Sequence, residues 1–196
     1  MNEKDLTLQY YADNAVAFTE NTVNVEFSDM QDKFVAHIKP GGHILDLGCG
    51  SGRDTKAFLN RGFTVTAVDG SPELCKIAES IIGQPVICAT FQEYDPSDTF
   101  DGIWACASLL HLPYKEIAPV LRKLVNCLAL DGFFYLSFKY GDFEGIRNGR
   151  YFTDMTEERF TAILQEVPGL VLTEQFITTD VRPCREEQWW NGLLEK

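Results

Sequence analysis

From about residue 43 onward, short apolar runs alternate with stretches of helical period. HILDLG (43–48), FTVTAVD (63–69), PVICA (85–89), FDGIWACA (100–107) and FFYLSF (133–138) are rich in β-branched or aromatic residues. Such nearly continuous apolar runs are the pattern of strands covered on both faces. Between them Leu74, Ile77, Ala78 and Ile81 fall at i, i+3, i+4 and i+7, and Ile117, Leu121, Leu124 and Leu128 repeat the spacing. Ser71 followed by Pro72 reads as a helix N-cap with proline at the first helical position. Pro119, near the start of the later helix, is expected to trim its first turn. The alternation predicts an α/β fold, a doubly wound parallel sheet with helices on both faces.

Two regions lie outside this alternation. Residues 1–40 read as two helices, the second carrying Met30, Phe34 and Ile38 on one face. Residues 139–155 (KYGDFEGIRNGRYFTDM) are glycine-rich and polar, and read as a long functional loop or a small hairpin. A last helix carries Phe160, Ile163, Leu164 and Val167, followed by strand candidates at 170–177 and 189–194. Without a repeat or a linker, the expectation is a single domain over 1–196, with its core at 43–196.

Composition narrows the class. A chain of 196 residues with 45% hydrophobic content buries roughly 70% of its unfolded surface, so it needs no disulfide or metal staple. No window offers 18 or more uninterrupted apolar residues, and residues 1–20 lack the basic start and apolar run of a secretory signal. These features predict a cytoplasmic protein with no membrane partner. Its 17 Lys+Arg against 29 Asp+Glu leave a net charge of -12, a field that repels nucleic acid. The six cysteines form no CxxC pair, so no metal is expected, and several of them read as small buried hydrophobes.

The strongest chemical signal is Asp46-Leu47-Gly48-Cys49-Gly50-Ser51-Gly52, which leaves the first strand and enters a helix. Closely spaced glycines permit positive φ and let backbone approach a ligand without Cβ interference. A strand, glycine loop and helix in this order form the nucleotide site of doubly wound sheets. Asp69 ends the second strand, where such folds bind a ribose hydroxyl pair. As a strand-end acid taken to be exposed, it should cost little stability when removed. A dinucleotide fingerprint GxGxxG would need its third glycine at position 53, which is Arg53; the spacing here is GxGxG.

With an acid two residues before the first glycine, the motif resembles that of the class I S-adenosylmethionine-dependent methyltransferases, (D/E)xGxGxG. DLGCGSGRDTKAFLNRGF, VDGS, FDGIWACASLLHLP and FKYG…GRYFTDMT are similar to a branch of small bacterial enzymes akin to tellurite methyltransferases. The resemblance implies a Rossmann-like seven-stranded sheet in the order 3-2-1-4-5-7-6, the last strand antiparallel and formed by 189–194. It also implies that residues 1–40 form a helical lid over S-adenosyl-L-methionine.

Carried over by position, Asp46, Gly48, Cys49, Gly50 and Gly52 hold the methionyl end, and Asp69 takes the ribose hydroxyls. Gly70 and Ser71 border the adenosine, and Thr90 and Phe91 take the adenine, with Thr90 where many relatives have Asp. Ala105 and Cys106 follow the fourth strand, beside the cofactor's amino group. Arg53 either reaches the methionyl carboxylate or pairs with a surface acid. Tyr10 and Tyr11 lie in the lid, and Tyr11 is taken as a cofactor contact. Lys139, Tyr140, Arg150 and Tyr151 would border the acceptor pocket, with Asp180, Arg182, Trp189 and Trp190 in support.

His111, one of three histidines, is the catalytic candidate as general base or substrate anchor, because an unperturbed imidazole titrates close to working pH. The alternative is a histidine that caps the loop, with its ring bonded to backbone. His37 and His43 flank the wrong end of the first strand and read as structural. The expected partner is a small-molecule acceptor, and the expected assembly is a monomer or homodimer. Two other readings stay open: a non-catalytic S-adenosylmethionine-binding module and a nicotinamide-dependent oxidoreductase.

Overall fold

β1 (His43–Leu47) lies in the middle of the molecule, and its last four residues are buried. A computed structural model describes residues 3–182 and 184–196. Before β1 come α1 (Glu3–Glu20) and α2 (Ser28–Val35). After it follow α3 (Arg53–Asn60), β2 (Thr64–Asp69), α4 (Pro72–Ile82), β3 (Ile87–Cys88), β4 (Phe100–Ala105), α5 (Tyr114–Cys127) and β5 (Leu128–Lys139). The chain closes with β6 (Glu144–Arg147), β7 (Arg150–Thr153), α6 (Glu157–Gln165), β8 (Val171–Thr179) and β9 (Gln188–Glu195).

The main sheet has seven strands in the order β3-β2-β1-β4-β5-β9-β8. β6 and β7 pair only with each other, so the sheet's own strands run 3-2-1-4-5-7-6, as the resemblance implies. β1 to β5 are parallel neighbours, and β9 is antiparallel to both β5 and β8.

Alternation along β1 and β4 supplies two cores. On one face Trp104 is fully buried, stacked on Tyr135 at 4.1 Å and tilted against Phe34 at 5.2 Å. On the other face Leu45, Ile103 and Phe134 meet Ile117, Leu121 and Leu124 of α5 and Phe160 of α6. The glycine at 102 lets the chain after α2 close on β4: a Cβ there would lie 2.7 Å from Phe34 and Ile38 side-chain atoms.

Four local expectations need correction. Pro119 does not trim α5, which begins intact at Tyr114 and carries the proline inside it on an exposed turn, where water can serve the Lys115 carbonyl. Leu128 continues the helical spacing yet has extended backbone and starts β5, because the helix converts directly to strand. Ile38 packs with Phe34 but lies past the end of α2. The strand expected at 85–89 shrinks to Ile87–Cys88.

The 139–155 segment is a hairpin. Arg147 pairs with Arg150 across a two-residue turn, Asn148 (φ 52°) and Gly149 (φ 78°). Both turn residues take positive φ, as the right-handed twist of a hairpin favours. α1 lies across α4 and against β7; Tyr151 N donates to Thr7 Oγ1 at 2.9 Å.

Among the described residues no helix is long and apolar enough to cross a membrane. Cys49, Cys75 and Cys127 are buried and Cys106 partly so, whereas Cys88 and Cys184 are exposed.

Candidate active site

The chain leaves β1 through three glycines with positive φ: Gly48 (83°), Gly50 (55°) and Gly52 (79°). The Gly48 and Cys49 amides both donate to the Val68 carbonyl, at 2.8 and 3.0 Å, which draws the loop onto β2. At the end of β2 the Asp69 carboxylate accepts from Gly50 N at 2.9 Å and from Ser71 N at 2.8 Å. Asp69 is therefore a half-buried pin of the glycine loop, not an exposed strand tip, and its removal also frees two backbone donors. Burial raises its pKa above the usual carboxylate range, partly offset by the amides of Ser71, Gly50 and Gly70. A Cβ at Gly48 would come 2.4 Å from Ser108 Cβ, so the glycine lets two loops touch.

These loops open onto a cavity of about 560 Å³ at the carboxyl ends of the strands, the position where doubly wound sheets bind ligands. Gly48, Cys49, Gly50, Asp69 and Gly70 line it on one side, and Thr90 and Phe91 on another. Tyr10, Tyr11 and Phe18 of α1 also line it, as do Arg53, Cys106, His111, Lys139 and Arg150. Asp180, Arg182 and Trp189 contribute from the last two strands and their connection.

Four residues expected at the cofactor stand behind the wall instead. Asp46 is 2% exposed and accepts from Thr55 Oγ1 at 2.6 Å. Gly52 is the left-handed N-cap of α3, and a Cβ there would meet Ile82 at 2.8 Å. Ser71 caps α4 through Leu74 N at 3.3 Å. Ala105 is fully buried in the core. Tyr140, Tyr151 and Trp190 also miss the cavity: Tyr140 is exposed, Tyr151 bonds Glu144 through its hydroxyl, and Trp190 is core. His43 bonds Thr66 and His37 stacks on Phe133, so both are structural.

Arg53 does pair with an acid, but a buried one. Its Nε and Nη2 donate to the two carboxylate oxygens of Asp54, each at 2.8 Å, and the guanidinium lies 4.5 Å over Phe27. Asp54 also accepts from Gln31 Nε2 at 2.7 Å and Trp104 Nε1 at 2.9 Å. Burial works against its charge, but the adjacent guanidinium and these donors hold its pKa below the usual range. Asp46 shifts the other way, because it is buried and repelled by Asp54. This network crosses from α3 to β4 and was missed in the sequence.

His111 occupies a one-turn 3-10 helix after β4. Nδ1 lies 2.7 Å from the Tyr151 carbonyl, which can only accept, so Nδ1 carries the proton. Nε2 then accepts from the Tyr11 hydroxyl at 2.8 Å. Arg150 Nη1 donates to the same hydroxyl at 3.3 Å. Enclosure of the ring pushes its pKa down to about 4, against the Tyr151 hydrogen bond, with Arg150 and Lys139 adding to the depression. That direction is away from the working pH near which an unperturbed imidazole titrates. Burial raises the Tyr11 hydroxyl, partly countered by Arg150.

A glycine loop, an acid ending the second strand and a cavity over the strand ends define a doubly wound nucleotide-binding fold. Residues 44–132 match the family model described as a methyltransferase domain. The ubiquinone biosynthesis O-methyltransferase of Xanthomonas campestris pv. campestris is 29% identical over 105 residues, covering 50% of this chain and 43% of that protein.

Among solved structures, the 1,6-didemethyltoxoflavin-N1-methyltransferase of Burkholderia thailandensis with bound S-adenosylhomocysteine has a TM-score of 0.77 at 23% identity. That match covers 99% of this chain and 86% of that one. The magnesium protoporphyrin IX methyltransferase of Synechocystis with bound SAM has a TM-score of 0.74 at 16% identity, covering 100% and 98%.

Over residues 44–132 the chain is similar to methyltransferase domains, and it shares its fold with these two solved methyltransferases. It spans less than half the length of the curated relatives it matches. None of the three proteins described is a tellurite methyltransferase.

Proposed function

We propose that the chain transfers a methyl group from S-adenosyl-L-methionine to a small-molecule acceptor. The observation that carries this reading is the glycine loop pinned by Asp69 on the wall of the cavity. Three features fit the cofactor. Gly48 and Gly50 keep the cradle free of side chains. Asp69 offers a carboxylate to the ribose hydroxyls. The Ser108 hydroxyl is buried on the wall beside the loop without a protein partner, which a polar ligand atom would satisfy. Gly70, Thr90 and Phe91 would flank the adenosine, and Cys49 and Arg53 the methionyl end. Asp46, Gly52, Ser71 and Ala105 hold that surface in shape from behind.

The sulfonium of the cofactor supplies the methyl group for an in-line displacement, so the protein contributes position and exclusion of water. α1 serves both ends of the cavity, with Phe18 over Gly50 and Tyr11 against His111. His111 cannot be a strong base, because its free lone pair is occupied by Tyr11 and burial weakens it. We assign it as a positioning residue that fixes the Tyr11 hydroxyl and, through it, the N-terminal helix.

The test is ligand binding followed by methylation with labelled cofactor. At 100 times its dissociation constant S-adenosylhomocysteine should stabilise the protein by roughly 2.7 kcal/mol, raising the melting temperature by roughly 5–11 °C. NAD should produce no shift. Equal shifts, or none, would remove the cofactor assignment; binding without any labelled product would favour a non-catalytic module.

A further inference from the structure

We propose, building on the methyltransferase reading, that the acceptor is a small carboxylate held in ionised form by Arg150. The charges around the cavity point there. Arg53 is paired with Asp54, Arg182 with Asp180, and Lys139 with Glu187, and Arg185 is exposed to solvent. Arg150 has no carboxylate partner among the described residues. Its guanidinium lies among three rings, 4.5 Å from Tyr10, 5.6 Å from Tyr11 and 5.0 Å from Phe152. It donates to the Tyr11 hydroxyl, and its Nε is buried without a partner. In a chain of net charge -12, an enclosed and uncompensated cation on a cavity wall is a binding group. A guanidinium presents parallel N–H groups that match the two oxygens of a carboxylate, and aromatic faces on either side fix its plane.

The chemistry beside it agrees. The one imidazole on this wall keeps its Nε2 occupied by Tyr11, so the nucleophile has to arrive without a proton to lose. A carboxylate does. One of its oxygens forms the new O–CH3 bond as the C–S bond breaks. The electron pair of that bond stays on sulfur and cancels the sulfonium charge. The products are a neutral methyl ester and a thioether, and no proton moves. Loss of the acceptor's charge weakens its hold on Arg150, which favours release of product over substrate.

The experiment uses the full chain saturated with S-adenosylhomocysteine and four acids, benzoate, cinnamate, hexanoate and succinate, each against its primary amide. Calorimetry should detect binding of at least one acid and none of the amides. Arg150→Gln should lose about ten- to a hundredfold in that affinity, the range for a hydrogen bond to a charged group. Arg150→Lys, which keeps the charge but not the fork, should retain the preference for acids at reduced affinity, and it decides the matter if the Gln variant does not fold.

With labelled S-adenosylmethionine, the label transferred to an acid should be released as methanol by mild base, as from an ester. Preferred binding of amides, acids bound equally by Arg150→Gln, no acid bound at all, or base-stable label would each overturn the proposal. Failure of S-adenosylhomocysteine to bind the parent would instead strike the cofactor assignment, and the acids would then be read on the free protein.

Discussion

Replacing His111 by Gln removes an imidazole whose pKa falls from 6.5 to about 4 on folding. Such a change in proton affinity corresponds to about 3.4 kcal/mol. The folded state disfavours the proton, so this stability is fully present above pH 6.5 and is lost as pH falls from 6.5 towards 4. Between pH 7.5 and 5 the loss reaches about 2 kcal/mol, reduced to about 1–2 because the ring is partly exposed on the cavity wall. Gln can keep a contact to Tyr11 but cannot titrate. Urea unfolding of parent and variant across that pH range isolates the histidine, since every other group is common to both. The stability difference should move in the variant's favour by about 1–2 kcal/mol on acidification. Parallel stability curves, or a His111 ring resonance that titrates near the ordinary 6.5 of a free imidazole, would falsify the enclosed neutral imidazole and the positioning role built on it.

Three further outcomes follow from the same contacts. Asp54→Ala strands a buried guanidinium, a Gln31 amide and the Trp104 N–H; it should cost about 3–5 kcal/mol and lower the melting temperature by about 6–20 °C, measured by calorimetry. Gly48→Ala places a Cβ 2.4 Å from Ser108 Cβ at a backbone φ of 83°, so it should separate the two loops and weaken S-adenosylhomocysteine binding; parent-like affinity would show that the loop contact is dispensable. Asp69→Asn keeps one carbonyl for the loop amides but loses the charge, and binding of the same ligand should fall about tenfold or more, from a hydrogen bond to a charged acceptor worth roughly 1.5–3 kcal/mol. An unchanged dissociation constant would exclude Asp69 as the ribose partner.

The strands and the glycine loop were legible because period and local turn chemistry are properties of neighbours in sequence. Asn148-Gly149 is itself a hairpin signal, although the glycine-rich, polar 139–155 segment is equally compatible with a long loop from composition alone. What spacing cannot resolve is direction. Asp46 and Ala105 end strands at the right height for a ligand, yet their side chains face inward, and alternation puts only every second residue towards a given side. Ser71 and Gly52 are spent on helix starts. The Asp54 network joins residues 31, 53, 54 and 104, a meeting that no local pattern announces. The same holds for His111, whose altered basicity comes from α1 and the hairpin closing around it.

The placement of the three tryptophans makes the protein its own optical reporter. Trp104 and Trp190 are fully buried, stacked or tilted against other rings, and out of reach of solvent relaxation. Trp189 alone lines the cavity, with the Lys139 ammonium 5.9 Å from its ring. Two of the emitters therefore form a constant background, while the third sits where a bound molecule changes its polarity and its quenching. Occupancy of the acceptor end can be followed by intrinsic emission without a dye, and Trp189→Phe supplies the blank.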